Sequence, residues 1–233
     1  MHLIKQLYEL QETDTATSSL EESLSEVRAR LADDSEVVAA SKRVVDIEAR
    51  LPQVTAAHRG EDHAQQALAD KSRAVEERLY GGTVSNTREL SGLELERVSL
   101  RRQRDEQDER LLEAMLQLDD VRESLRSAEK ALEQLEAAKA SEREVLLKED
   151  ATLSSDLEKL AARRSEAVQP IPPQPLALYE SLLKSKAGLA VVRVERGQCQ
   201  GCRLSLPIHD LQRAKNGSTA VQCNSCRRIV YPV

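Results

Sequence analysis

The sequence predicts a mainly α protein: a long antiparallel coiled-coil hairpin followed by a small C-terminal β domain. Three observations predict it. The chain is 32% charged and 2% aromatic, with no Phe or Trp among 233 residues, which is the composition of long helices rather than of a compact core. Apolar residues recur at alternating steps of three and four over a long central stretch. All four cysteines, Cys199, Cys202, Cys223 and Cys226, lie near the C-terminus as two C-x-x-C pairs. The expected division is a hairpin over 1–168 with its tip near 80–92, a proline-rich linker over 169–175, and a short helix plus the β domain over 176–233. Hairpin and β domain are expected to have separate cores.

The second arm carries the clearest pattern. Stepping from Leu90 to Leu160 by threes and fours meets 21 positions, 14 of them apolar, and a heptad sustained that long specifies a coiled-coil seam. Arg97, Arg104 and Gln107 interrupt it. The helix should end near Val168, where "QPIPPQP" stops it. The first arm is more broken. Leu3, Leu7 and Leu10 begin a seam, and Leu20, Leu24, Val27 and Leu31 continue it after a phase slip near Thr13. Ala40, Val44, Ile47, Leu51 and Val54 form another stretch, and Ala64, Leu68 and Val75 a fourth. Pro52 removes a backbone donor and clashes with the preceding turn, so a kink or local break belongs there.

Between the arms stands "LYGGTVSNTREL". Gly81 and Gly82 can take the left-handed conformation that ends a helix. Asn86 can cap the next one, with Glu89 reaching back as in a capping box. A turn centred near residue 84 returns the N-terminus beside Glu166. The tip reads either as a plain turn or as a partner contact, since it is longer than a minimal helical hairpin needs.

Two residues between cysteines let both sulfurs of a tight turn reach one ion, and two such turns complete a tetrahedron. The pairs are separated by 20 residues, the spacing of a four-cysteine zinc site. Gly201 should give the first turn its freedom; Asn224 and Ser225 serve the second. Segments "LAVVRVERG", "RLSLP", "STAVQ" and "RRIVYPV" read as short strands and "PIHDLQRAKNG" as a helix between the knuckles, which makes the β domain a zinc ribbon. An iron–sulfur cluster or a redox dithiol is the alternative. One zinc held by four sulfurs leaves no open position, so the expected cofactor is structural.

Charge is unevenly spread. From Ala187 onward, Arg193, Arg196, Arg203, Arg213, Lys215, Arg227 and Arg228 face only Glu195 and Asp210, a net +5. The chain total of −6 then leaves −11 for residues 1–186. Four thiolates with Zn²⁺ would bring the head to about +3. Those seven cations are the candidate residues for binding nucleic acid or another partner.

Other chemistry is thin. His2, His58, His63 and His209 read as ordinary polar residues, and Asp33-Asp34 and Asp119-Asp120 as parts of solvated helix faces. No nucleophile signature or glycine-rich phosphate loop appears, so no enzyme and no small-molecule substrate is expected. No apolar run reaches the ~20 residues of a membrane span, and the N-terminus lacks a secretory pattern. The expectation is a cytoplasmic monomer or weak dimer with reduced thiols.

The order of parts, with the tip "LYGGTVSNTREL" and the terminal "CQGC…CNSCRRIVY", resembles the bacterial C4-type zinc-ribbon, coiled-coil-hairpin family over nearly the whole chain. The resemblance carries Cys199, Cys202, Cys223 and Cys226 over as zinc ligands. It implies a nucleic-acid-binding role, or partnership with an alternative sigma factor or with flagellar and type III secretion machinery. Arg227 stands where zinc knuckles often place glycine, which predicts a tighter or differently aimed turn. Two function classes follow: a ribbon that binds nucleic acid through phosphates, and a protein–protein adaptor or chaperone without nucleic-acid binding. Tyr231, the ribbon's only ring, is meagre for base stacking. A coil inserted into RNA polymerase fits less well, because Val84–Arg88 is neutral to basic rather than acidic.

Overall fold

The computed structural model describes residues 3–216 and 219–232. His2 and the expected strand and helix ends at Gly217, Ser218 and Val233 lie outside them. The elements are α1 (Leu3–Ala32), α2 (Ser35–Glu48), α3 (Leu51–Tyr80), α4 (Thr87–Val168), α5 (Pro173–Ser185), β1 (Val191–Glu195), β2 (Gln198–Cys199), α6 (Ile208–Lys215) and β3 (Ile229–Pro232). Long helices form the hairpin and a small sheet the ribbon. The chain divides into two compact units, 34–141 and the combination of 1–33 with 142–233.

In the first unit α3 and α4 are antiparallel neighbours joined at the tip. Val75, Leu93 and Leu100 are buried, with Leu68, Leu79 and Val84 packed on them. Gln107, the polar interruption of the seam, is also buried and donates to the Glu61 carbonyl and carboxylate at 3.2 and 2.6 Å. At the tip the Asn86 side chain caps α4 by accepting the Arg88 N–H at 3.0 Å. The reciprocal half of the expected capping box is replaced: Glu89 pairs with Arg78 at 3.1 Å. Of the two tip glycines, Gly82 alone is left-handed (φ 71°). Gly81 has φ −75°, and a Cβ there would stand 2.5 Å from the Glu77 carbonyl oxygen. Gly81 therefore permits close approach rather than a left-handed turn.

The first arm breaks twice. Pro52 sits at the N-terminal edge of α3, where its missing N–H costs nothing, and the chain leaves the helix at Ala49–Arg50. A second break falls at Asp33–Asp34, a pair expected on a solvated helix face but placed between α1 and α2, outside either helix.

In the second unit α1 lies against the end of α4. Arg28 meets Asp150 at 2.7 Å, Arg30 meets Glu142 at 2.6 Å and Asp14 meets Arg164 at 2.7 Å. With Asp14 level with Arg164, the N-terminus does not stop beside Glu166; residues 3–11 run beyond the coil.

Those first three turns enter the ribbon. Ile4, Leu7 and Leu10 share one buried cluster with Ile171, Tyr179, Leu182, Val191, Val192, Val194, Ile229 and Val230. The expectation of separate cores is thus overturned for this end of the hairpin. A sheet this small cannot cover its own apolar face, and α1 covers it. The linker is shorter than expected, since α5 begins at Pro173.

The sheet has the order β2-β1-β3, with β1 antiparallel to β2 and parallel to β3. Two expected strands contract to single bridges, Ser205 with Gln198 and Gln222 with Ile229. Both lie beside a knuckle, whose tight turn takes up the backbone groups a longer ladder would need.

Candidate metal centre

Two sequence-distant turns bring four sulfurs together. Cys199 closes β2, and Cys202 follows in a turn; Cys223 and Cys226 repeat the arrangement before β3. The repetition is exact in its bonding offsets. In the first knuckle the Cys199 N–H donates to Leu204 O (3.0 Å) and the Arg203 N–H to Cys199 O (2.6 Å). In the second, Cys223 N–H donates to Arg228 O (2.8 Å) and Arg227 N–H to Cys223 O (2.9 Å). Both turns require a left-handed residue directly after the second cysteine, and both place arginine there: Arg203 at φ 61° and Arg227 at φ 66°. Arg227 therefore makes the same turn as its counterpart, neither tighter nor differently aimed. Gly201 does not supply the freedom expected of it. Its role is steric, since a Cβ would come within 2.9 Å of Val192 Cγ1 and 3.1 Å of Arg228 Cδ.

The four Sγ atoms lie within 4.8 Å of one another, with Cys199–Cys226 and Cys202–Cys223 both at 3.7 Å. A tetrahedron with Zn–S bonds of about 2.3 Å has edges of about 3.8 Å, so the donor set and its spacing fit one zinc. Cys199 and Cys223 are buried, and Cys202 and Cys226 half-buried. Burial pushes the Cys199 thiol up to about 12, against the pull of the Gly201 and Cys202 N–H groups. Burial acts on Cys223 too, but there the Cys226 and Ser225 N–H groups and the neighbouring thiols prevail and bring it down to about 7. A bound cation favours the thiolate at all four positions. Around the second knuckle, Asn224 donates to buried Asp210 at 3.1 Å, which also meets His209 Nδ1 at 3.1 Å.

The seven basic residues are not equivalent. Arg228 is half-buried and donates to the carbonyls of Leu189 (2.8 Å), Gly201 (3.4 Å) and Lys186 (3.5 Å), so its fork ties the end of α5 to the first knuckle. Arg193 lies over the Tyr8 ring, 5.0 Å from its centroid, and Arg213 stands 3.9 Å from Asp210. Arg196, Arg203, Lys215 and Arg227 are exposed and make no ion pair among the described residues. Tyr231 is joined by a second ring: Tyr8 of α1 stacks on it at 5.0 Å.

Three polar residues of this unit, Gln11, Asp14 and Tyr179, were not read as functional or structural from the sequence. Gln11, buried, donates to Val191 O at 2.8 Å and accepts the Val191 N–H at 2.6 Å. Asp14 accepts from the Tyr179 hydroxyl at 2.7 Å and from Arg164. The signal was present as the phase slip near Thr13, where polar residues occupy the seam.

Comparison with known proteins agrees with this construction. No curated protein matches the chain. Among solved structures, CT398 from Chlamydia trachomatis aligns over 99% of this chain and 98% of its own, with TM-score 0.74 and 20% identity. A protein from Mycobacterium smegmatis aligns over 99% and 98% with TM-score 0.58 and 17% identity. HP0958 from Helicobacter pylori aligns over 99% and 97% with TM-score 0.55 and 17% identity. At those identities the likeness is one of fold. Residues 198–230 match the C4-type zinc ribbon domain, and residues 10–187 match the CT398-like coiled coil hairpin domain. A four-sulfur centre in a small sheet that packs on α1 is thus what the sequence encodes, and the chain belongs to the CT398-like coiled-coil hairpin family with a C4-type zinc ribbon.

Proposed function

We propose that the protein is a non-enzymatic adaptor or regulator whose zinc ribbon is a binding head and whose hairpin is an interaction arm. The observation that carries this reading is the pair Arg203 and Arg227. Each occupies a left-handed turn position that glycine fills at no steric cost, each is exposed, and neither makes an ion pair among the described residues. Backbone strain retained together with an uncommitted cation points to the side chains being used by a partner with acidic groups. A ring of four sulfurs around zinc leaves no place for substrate, which supports a structural rather than catalytic centre.

A protein partner fits best. Leu204 and Ile208, 54% and 75% exposed, follow Arg203 closely in the chain, and apolar side chains next to arginine suit a protein surface. The Tyr8 ring already carries Tyr231 and Arg193, so neither ring is an open platform for bases. Nucleic acid is the second reading, favoured by the four cations without ion pairs. Affinity capture from the native cell, with and without nuclease, separates the two. Partners that survive nuclease and are lost with Arg203→Ala and Arg227→Ala support the adaptor. Binding of the zinc-loaded protein to DNA or RNA, with log affinity falling linearly in log salt, supports the other. Capture unaffected by both substitutions overturns the role given to the knuckle arginines.

A further inference from the structure

Within the unit 34–141, α4 carries a second heptad stripe whose apolar members are exposed, and within which Arg102 pairs along its own helix with Glu106 at 3.1 Å. The buried seam runs through Leu93, Leu100, Gln107, Ala114 and Leu118. Residues two positions away lie about 200° around the helix, on its far side. There the series Leu95, Val98, Arg102, Asp105, Glu109, Leu112, Leu116 again alternates steps of three and four. Its four apolar members are exposed by 72, 62, 57 and 63%. Met115 widens the lower patch. A charged centre is therefore bracketed by two apolar ends.

The series is close to a palindrome in chemistry. Reversed about Asp105, Leu95 falls on Leu116, Val98 on Leu112 and Arg102 on Glu109. A parallel, in-register pair of such helices would set Arg102 against Arg102 and Glu109 against Glu109. An antiparallel pair sets both apolar ends on apolar ends and makes two Arg102–Glu109 pairs. The single like-charge contact, Asp105 with its copy on the two-fold axis, has the Arg102 side chains of both helices beside it. Opposite charges at such positions fix orientation and partner, and like charges exclude alternatives. An isologous contact of this kind closes on itself and does not propagate.

We infer that this face is a self-association surface: two copies of the chain pair through residues 95–116 of α4, antiparallel, about a two-fold axis at Asp105. The stripe is short, and its apolar groups number four per copy, so the dimer is weak and reversible. This goes beyond the adaptor reading and does not depend on the ribbon.

The test uses the full-length, zinc-loaded protein. Sedimentation over about 1–300 µM should show a monomer–dimer equilibrium. Arg102→Glu and Glu109→Arg should each raise the dissociation constant by about tenfold or more, and the double swap should recover most of that loss. All these positions are exposed, and circular dichroism checks that the variants fold. Orientation is read by cross-linking: Asp105→Cys should form a disulfide with its own copy, and a mixture of Leu95→Cys with Leu116→Cys should give the mixed dimer. A monomer throughout that range overturns the inference. So does a dimer that neither charge swap weakens, or one in which Leu95→Cys links to itself.

Discussion

Gln11 and Val191, 180 residues apart, are joined by two hydrogen bonds, with the side-chain amide giving to the strand carbonyl and taking from the strand N–H. A glutamine side chain presents one donor and one acceptor side by side, so it answers both backbone groups of the first residue of β1. This clasp and the apolar cluster around it fasten the first turns of α1 to the ribbon.

Gln11→Ala should therefore leave two buried backbone groups without partners and destabilise the unit by about 2–4 kcal/mol. Gln11→Glu should not rescue it, because a carboxylate can accept the Val191 N–H but has nothing to donate to its carbonyl. Amide hydrogen exchange at Val191 reads this directly. Unchanged protection in Gln11→Ala would show that the clasp carries no stability.

The same clasp shows where the sequence was legible and where it was not. Heptad spacing located α4 and its seam, and cysteine spacing located both knuckles, because each is a local regularity. The contacts of Gln11, Asp14 and Tyr179 join segments 150 to 180 residues apart, and no local pattern encodes which strand or helix a buried polar group meets. Thr13 marked only that the seam failed there. Likewise the spacing assigns the knuckle turns to Gly201, Asn224 and Ser225, whereas the structure puts the left-handed backbone at Arg203 and Arg227 and uses Gly201 for clearance.

Removing zinc tests how far the shared core extends. Metal binding by a four-cysteine ribbon contributes on the order of 10 kcal/mol to folding. Chelation, or Cys202→Ser, should unfold the ribbon and expose Ile4, Leu7 and Leu10, so exchange protection should fall over residues 3–11 and 173–185. Val75, Leu93 and Leu100 belong to a different cluster, and their surroundings should stay protected. The helical signal should drop modestly rather than vanish. Full protection of residues 3–11 after chelation would contradict the shared core.

Tyr179 provides a pH test. It is fully buried and bonded to Asp14, and burial, followed by that hydrogen bond and the Asp14 charge, raises its pKa well above the ordinary tyrosine value of 10. The folded state thus holds a proton that the unfolded state releases. Its contribution is fully present below pH 10 and is lost as pH rises from there through the folded pKa. Tyr179→Phe should cost about 1–2 kcal/mol at pH 8, and the gap from the parent should narrow by pH 11. Denaturant midpoints at the two pH values measure it; a gap that stays constant would refute the linkage.

Arg203 and Arg227 supply the prediction that joins stability to function. A left-handed backbone costs an ordinary L-residue about 1–2 kcal/mol, and glycine avoids that cost while losing about 0.5–1 kcal/mol to its freer unfolded chain. Arg203→Gly and Arg227→Gly should therefore leave the ribbon as stable as the parent or more stable by up to about 1 kcal/mol, and slow zinc loss to a chelator. Arg227→Val should do the opposite, since a β-branched side chain tolerates this conformation least. Binding should move the other way: both glycine substitutions remove a cation that makes no ion pair among the described residues, so partner capture should weaken while the fold firms. Thermal unfolding and capture on the same variants give the two readings together. If the glycine variants unfold earlier than the parent, the left-handed turns are not strained. If they are stabilised yet hold partners as well as before, the arginines are not the contact.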